Sequence, residues 1–191
     1  IDGPHAAAAP SGPDNLVMRA AELARSRAAE NGAAPPLGAM LKLTKNLPIA
    51  AGIGGGSADA AAALHLLNEL WSLGAGGQSL MRHGLELGSD VPVCVFNRSA
   101  LMSDRGETIV PGPPIPALPV VLCNPGVPVS TAQVFDRLGE RRGARMPILP
   151  YEIESAHHLA ETLTEFGNDL EAPAMRIQRC SGSYSLPGNS S

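Results

Sequence analysis

The stretch that organises this chain joins a short predicted strand to a long predicted helix, and it reads Pro48, Ile49, Ala50, Ala51, Gly52, Ile53, Gly54, Gly55, Gly56, Ser57 and Ala58. Before it, Leu41, Leu43 and Leu47 alternate with polar residues, which predicts a half-buried strand. After it, apolar residues recur at three- and four-residue steps over 60–71, and Gly74 follows. This spacing predicts a helix whose N-terminus carries the glycines.

A glycine-rich helix N-terminus is suited to binding an anion. The first N–H groups of a helix lack partners within it, and the aligned peptide dipoles add roughly +0.5 charge there. Glycine places no Cβ between those N–H groups and a ligand. The predicted helix starts without Lys or Arg, so we expect backbone donors, with the Ser57 hydroxyl, to bind a phosphate.

Two familiar phosphate loops do not fit this stretch. The Walker loop needs a lysine before its Ser or Thr, whereas Gly56 precedes Ser57 here. The dinucleotide-binding pattern needs a glycine at position 57. A glycine-rich hinge that binds no ligand is the other interpretation of the same residues.

Composition narrows the classes of function. The chain has 191 residues with a net charge of −4 and no basic cluster, which gives no electrostatic support for nucleic-acid binding. Its cysteines, Cys94, Cys123 and Cys180, have neither zinc-site nor disulfide-framework spacing, which fits a reducing cytoplasm. We see no apolar run of about 18 residues and no leader, so we expect no membrane partner.

A second motif spans residues 87–96, where an apolar run from Val91 onward predicts a buried strand. Asp90 then lies at the mouth of that strand. An aspartate in this position is either a surface cap or a functional carboxylate.

These segments resemble the GHMP kinases. Their phosphate loop has the pattern Pro-x-x-x-Gly-hydrophobic-Gly-Gly-Gly-Ser, their second signature Gly-x-Asp-Val-Pro matches 88–92, and an Asp-Asn-Leu-Val-x-Arg-Ala helix matches 14–20. The resemblance implies an α/β (α+β two-layer) fold of two domains, with ATP on residues 48–58 and Mg²⁺ on its phosphates. It also implies that Asp90 binds the substrate and is the base that takes the proton from the attacking hydroxyl.

Within this family the chain is most similar to the kinases that phosphorylate the 2-hydroxyl of 4-diphosphocytidyl-2-C-methyl-D-erythritol. The partner would then be a small molecule, and Thr131 and Phe135 would face its cytidine. Taken without the resemblance, Thr131 is a helix N-cap and Phe135 a core anchor. A degenerate remnant that only binds nucleotide, or a GHMP kinase for another small alcohol, are the alternatives.

The expected domains are residues 1–116, the ATP-binding N-terminal domain, and 117–191, part of the C-terminal domain. The dense prolines of 111–116 predict the boundary. We expect the fold to be incomplete at both ends: the family's first strand, with its catalytic lysine, would precede Ile1, and residues 176–191 are expected to be irregular. Smaller expectations are an N-cap at Asp14, a hairpin over 98–110 and a strand over 120–123.

Overall fold

The structure is a computed structural model that describes residues 1–30, 38–49, 51–121, 129–139 and 147–181, with side chains described up to residue 177. The chain divides into two compact units, Ile1–Pro113 and Pro114–Ser191. We describe each unit by itself and call them the first and the second unit.

The first unit consists of helices and one hairpin. Its helices are α1 (Leu16–Glu30), α2 (Gly55–Leu70), α3 (Gly77–Leu87) and α4 (Val91–Phe96), preceded by a short 3-10 turn at Ala6–Ala8. Strands β1 (Ala100–Ser103) and β2 (Thr108–Pro111) pair antiparallel, with Ala100 opposite Pro111 and Ser103 opposite Thr108. The predicted hairpin is therefore confirmed.

The core of the first unit is built largely from alanine. α1 and α2 bury Ala20, Ala60, Ala61 and Ala63, each at most 4% exposed, in one apolar cluster. Leu64 and Val91 lie in the same cluster and are among the largest fully buried side chains. Because small side chains occupy the contact, two helix axes can approach closely, toward the lower end of the usual 8–10 Å range.

Asn15, rather than Asp14, caps α1. The Asn15 Oδ1 accepts a hydrogen bond from Val17 N at 2.9 Å, and its Nδ2 donates to Pro10 O at 2.7 Å. Asn15 is buried, whereas Asp14 is exposed. The N-cap expected at Asp14 was one residue early, because both residues are good caps and periodicity does not separate neighbours.

We expect Asn15→Ala to lower the free energy of unfolding by about 1–2 kcal/mol, because it removes the cap and leaves Pro10 O without its amide partner. Asp14→Ala is the matched control and should change it by less than about 0.5 kcal/mol. Urea unfolding followed by circular dichroism measures both. Equal losses in the two variants would contradict the assignment of the cap.

The described residues before the glycine loop do not form the regular strand that the sequence predicts. Within the described residues their only pairing is one parallel bridge between Thr44 and Asp2. The expected alternation is present up to Lys45, since Leu41 and Leu43 pack against the core while Lys42 and Thr44 face solvent. Leu47 breaks the pattern because it is 47% exposed.

The predicted buried strand from Val91 onward is also wrong, because residues 91–96 form α4. Short apolar runs fit a buried strand and a buried helix equally well. Pro92 decides for the helix, since proline is tolerated in the first helical turn, where its missing N–H costs nothing.

The second unit contains α5 (Thr131–Leu138), α6 (Ala156–Thr164) and α7 (Glu171–Ser181). Residues 176–181, expected to be irregular, form the last turns of α7, so that expectation is wrong for this part. The strand expected over 120–123 is not formed at Val120 and Val121, which are 73% and 88% exposed, and its remainder lies outside the described residues. Asn168 forms a turn directly before α7, in which Leu170 N donates to Asn168 Oδ1 at 3.1 Å.

Candidate functional site

The glycine loop turns into α2 through left-handed backbone. Gly52 has φ +74° and Gly54, the residue directly before the helix, has φ +70°. A side chain at Gly54 would meet no atom within 4 Å, so the backbone conformation itself is what requires glycine there. Of the predicted loop residues, Ala50 lies outside the described residues.

The N-terminus of α2 is open. The first bond of the helical ladder runs from Ala58 N to Gly54 O at 2.9 Å, and Gly54 has no side chain to cap the turn. Among the described residues, the N–H groups of Gly55, Gly56 and Ser57 donate to no backbone carbonyl. These donors and the positive end of the helix dipole can therefore bind an anion, as predicted from the glycine spacing.

A lysine that the sequence analysis missed lies beside this helix end. Lys45 Nζ forms a 2.6 Å ion pair with Asp59 Oδ2, and only 8% of the Lys45 side chain is exposed. Nζ also lies 4.0 Å from the point at which a Cβ on Gly55 would stand. The helix itself starts without Lys or Arg, as the sequence shows, but Lys45 reaches its N-terminus from the residues before the loop.

The backbone of Lys45 is fixed as firmly as its ammonium. Its N–H donates to Asp2 O at 2.8 Å, and its carbonyl accepts from His5 N at 3.1 Å. A Cβ on Gly3 would lie 2.7 Å from Lys45 O, so the two backbone segments are in direct contact. The Lys45 ammonium is thus held by the Asp59 carboxylate, and the Lys45 backbone is held by hydrogen bonds to Asp2 and His5.

We expect Gly54→Ala to weaken MgATP binding roughly tenfold, because the left-handed turn that presents the free N–H groups is strained by a side chain. Gly74→Ala is the control: Gly74 has φ +67° and open space around it, but lies beyond the C-terminal end of α2. Both variants should lose about 1 kcal/mol of stability. Isothermal titration should show weaker binding in Gly54→Ala alone, and equal affinities would contradict this role of the turn.

Asp90 occupies the N-cap position of α4, but its side chain makes no capping hydrogen bond. Its side chain accepts no hydrogen bond from the first turn of α4, and the residue is exposed. The alternative that Asp90 is a helix cap is therefore wrong. Its carboxylate remains available to a ligand.

A groove of about 540 Å³ connects the start of α2 with α4. Ala58 and Ala62 line it from α2, and Val93, Cys94 and Arg98 line it from α4 and the residues beyond. Burial, and to a lesser extent the negative charge of Asp90, raise the pKa of the Cys94 thiol. The structure thus brings the first turn of the glycine-loop helix and the helix that begins after Asp90 to one side of the first unit.

Thr131 and Phe135 lie on α5 in the second unit. The cap of α5 is Ser130, whose Oγ accepts from Gln133 N at 3.4 Å, and Phe135 is 54% exposed. Both structural interpretations, Thr131 as a cap and Phe135 as a core anchor, are therefore wrong. Thr131 lines a groove of about 380 Å³ between α5 and α7, and its contact with a ligand stays a prediction.

Residues 15–98, which hold the glycine loop and Asp90, match the family model described as the GHMP kinases N terminal domain. The chain is therefore similar to the GHMP kinases over these residues. It is also 45% identical over 179 residues to a protein of Parvibaculum lavamentivorans named 4-diphosphocytidyl-2-C-methyl-D-erythritol kinase, covering 93% of this chain and 60% of that protein. A protein of the same name from Methylorubrum extorquens is 46% identical over 184 residues, covering 93% and 60%.

A solved structure agrees with this assignment of the GHMP kinase fold. It is described as a crystal structure of 4-(cytidine 5'-diphospho)-2C-methyl-D-erythritol kinase, and it superposes with a TM-score of 0.60 at 30% identity. The match covers 88% of this chain and 59% of that one, which confirms the predicted fold class. The chain spans about 60% of the length of the curated relatives it matches.

The described residues contain no group of three or more His, Cys, Asp or Glu side chains that could hold a metal ion. None of the helices in the described part of the chain is both long and apolar enough to cross a membrane.

Proposed function

We propose that this chain belongs to an ATP-dependent kinase that phosphorylates the 2-hydroxyl of 4-diphosphocytidyl-2-C-methyl-D-erythritol. One observation carries the proposal: in the first unit, the glycine-rich N-terminus of α2 has no side-chain cap, and the exposed Asp90 directly precedes α4, which shares a groove with α2. Phosphoryl transfer needs these two elements, a site for the phosphates and a group that accepts the proton of the attacking hydroxyl. The names of the relatives supply the substrate.

The loop would bind the phosphates of ATP. The donors are the N–H groups of Gly55, Gly56 and Ser57, which bond to no backbone carbonyl among the described residues. The Lys45 ammonium lies at the same helix end, where its charge is paired with the Asp59 carboxylate. Because the aligned donors are fixed before the reaction, they stabilise negative charge at little cost in reorganisation. Residues 48–58 would therefore form the nucleotide site.

Asp90 would accept the proton. As the hydroxyl oxygen of the substrate bonds to the γ-phosphorus, the bond from that phosphorus to the bridging oxygen of ADP breaks, and the hydroxyl proton passes to the Asp90 carboxylate. Because the Asp90 carboxylate accepts no capping bond from α4, it remains able to accept this proton.

Mg²⁺ would arrive with ATP, since this ion is usually held by one or two carboxylates together with substrate phosphates. Bound to the phosphates, the ion would shield their negative charge. We place the reaction in the cytoplasm, where ATP is available and free thiols such as Cys94 stay reduced.

The second unit would recognise the cytidine. Thr131 lines a groove, and Phe135 presents a largely exposed ring that can stack on a base. We accordingly assign 1–116 to the N-terminal ATP-binding domain and 117–191 to part of the C-terminal domain of the family.

The proposal is tested by incubating the 191-residue chain with MgATP and the cytidine-linked alcohol and measuring ADP and the phosphorylated product by mass spectrometry. Product formation that cytidine diphosphate inhibits is the expected result. Phosphorylation of another small alcohol without inhibition by cytidine diphosphate would contradict the substrate. Nucleotide binding without any turnover, measured by titration calorimetry, would contradict the catalytic function and leave a nucleotide-binding module.

A further inference from the structure

The position of the Asp90 carboxylate is set by backbone rather than by side-chain partners. Its side chain makes no capping bond in α4, and the residue is exposed. Its backbone is fixed by hydrogen bonds, from Val91 N to Gly88 O at 3.1 Å and from Cys94 N to Asp90 O at 3.4 Å. Whatever holds residues 88–92 in place therefore also holds the carboxylate.

Gly106, in the hairpin turn, lies directly against this segment. It is buried, has φ +98°, and a Cβ added to it would stand 2.3 Å from Ser89 O and 3.1 Å from Ser89 C. Those atoms belong to the peptide group that joins Ser89 to Asp90. Any side chain at position 106 would have to displace that peptide group, since backbone atoms cannot swing aside as a flexible side chain does.

Gly84, in α3, contacts the same segment at its other end. A Cβ on Gly84 would lie 3.0 Å from Val91 Cγ1 and 3.3 Å from Pro92 N. The residues from Ser89 to Pro92 are therefore in close contact with two glycines from two separate elements, α3 and the hairpin.

Hydrogen bonds close the hairpin turn around Gly106. Thr108 Oγ1 donates to Asp104 Oδ2 at 2.9 Å, and Arg105 N donates to Glu107 Oε2 at 2.6 Å. Gly106 N donates to Ser103 O at 3.1 Å, which closes the turn. These bonds fix Gly106 relative to β1 and β2, so a clash with Ser89 would be transmitted to the Asp90 segment.

We propose that Gly106 and Gly84 are positioning residues that fix Asp90 for phosphoryl transfer, an inference that rests on the proposed function. Neither glycine carries a group that could touch substrate. Their contribution is the direct contact that only a residue without a Cβ permits. A displacement of about 1 Å of a reacting group can cost roughly a hundredfold in rate, so even a small shift of the peptide matters.

The test compares Gly106→Ala with Gly74→Ala. Gly74 also has a left-handed φ, +67°, but nothing lies within 4 Å of its would-be Cβ, so it controls for backbone strain alone. We expect Gly106→Ala to lower kcat at least about tenfold while KM for MgATP changes by less than about twofold. Gly84→Ala should give a smaller loss, because Val91 Cγ1 can shift by a few tenths of an ångström, and Gly74→Ala should leave kcat within about twofold.

A second measurement reports on the geometry without turnover. In a Cys123→Ser/Cys180→Ser background, the rate of alkylation of Cys94 is followed against pH. Burial and, second, the Asp90 charge raise the pKa of the Cys94 thiol, so Asp90→Asn should move the profile to lower pH and speed the reaction at pH 8. If the carboxylate has moved, Gly106→Ala should shift the profile while Gly74→Ala does not. That shift should be lost when Gly106→Ala is combined with Asp90→Asn, whereas a shift caused by changed burial of Cys94 would persist.

The outcomes separate this inference from the proposed function. Absence of turnover in the unmodified chain contradicts the function, and the Cys94 profile alone then decides whether Gly106 fixes Asp90. With turnover present, the inference is overturned if Gly106→Ala matches Gly74→Ala in kcat, or if its Cys94 profile is unchanged. Circular dichroism melting shows which variants fold, and if Gly106→Ala fails to fold, Gly84→Ala supplies the same comparison.

Discussion

Asp90→Asn should lower turnover by at least about a hundredfold while leaving the dissociation constant of MgATP within about twofold. The substitution keeps the size of the side chain but removes its ability to accept a proton at neutral pH. Because the Asp90 side chain makes no capping bond, the fold should lose nothing with it. Steady-state kinetics and titration calorimetry on the same preparation measure the two effects.

Glu22→Gln is the control for the loss of one negative charge, since Glu22 is exposed on α1. It should leave both turnover and affinity unchanged. Near-normal turnover in Asp90→Asn would exclude Asp90 as the base. An equal loss of nucleotide affinity would assign it to phosphate or metal binding instead.

The ion pair of Lys45 and Asp59 should be the most sensitive polar contact of the first unit. We expect Asp59→Ala to lower the free energy of unfolding by about 2–3 kcal/mol, because it leaves the Lys45 ammonium buried without a partner. This is below the usual cost for a fully buried pair because 27% of the Asp59 side chain is exposed. Urea unfolding of the single variants and of a double variant measures it.

Removing both charges should cost less than removing one. Lys45→Met combined with Asp59→Leu replaces the pair with apolar side chains, and we expect it to recover most of the stability lost in Asp59→Ala. Glu86→Ala removes a pair with Arg27 that lies on the surface, so its loss should be clearly smaller. A double variant no more stable than Asp59→Ala would show that the pair is not the source of the loss.

The sequence was most informative about structure where the residues that form a pattern are contiguous within one element. The start of α2 was predictable because the glycines and the helical periodicity are contiguous in the chain. The same periodicity could not decide between strand and helix for residues 91–96, since six apolar residues are too few to show a period. Pro92 was the usable signal, because it fits the first turn of a helix better than the middle of a buried strand.

Contacts between distant residues were beyond the reach of local patterns. Lys45 and Asp59 are separated by 14 positions, and only the turn of the glycine loop brings them together. The contact of Gly106 with Ser89 depends likewise on how the hairpin folds back on the helices. Asp90 was singled out as the base only through its resemblance to a family signature, since a single aspartate before an apolar run has no distinctive pattern, and that role stays a prediction.

The alanine-built contact between α1 and α2 determines which mutational experiment can examine it. The usual alanine scan gives no information at Ala20, Ala60, Ala61 and Ala63, because these positions are alanine already. The informative scan runs the other way, toward valine and leucine, since each added methyl must push apart two closely spaced helices. Laboratory evolution for thermal tolerance should therefore leave these four positions unchanged and find its gains elsewhere.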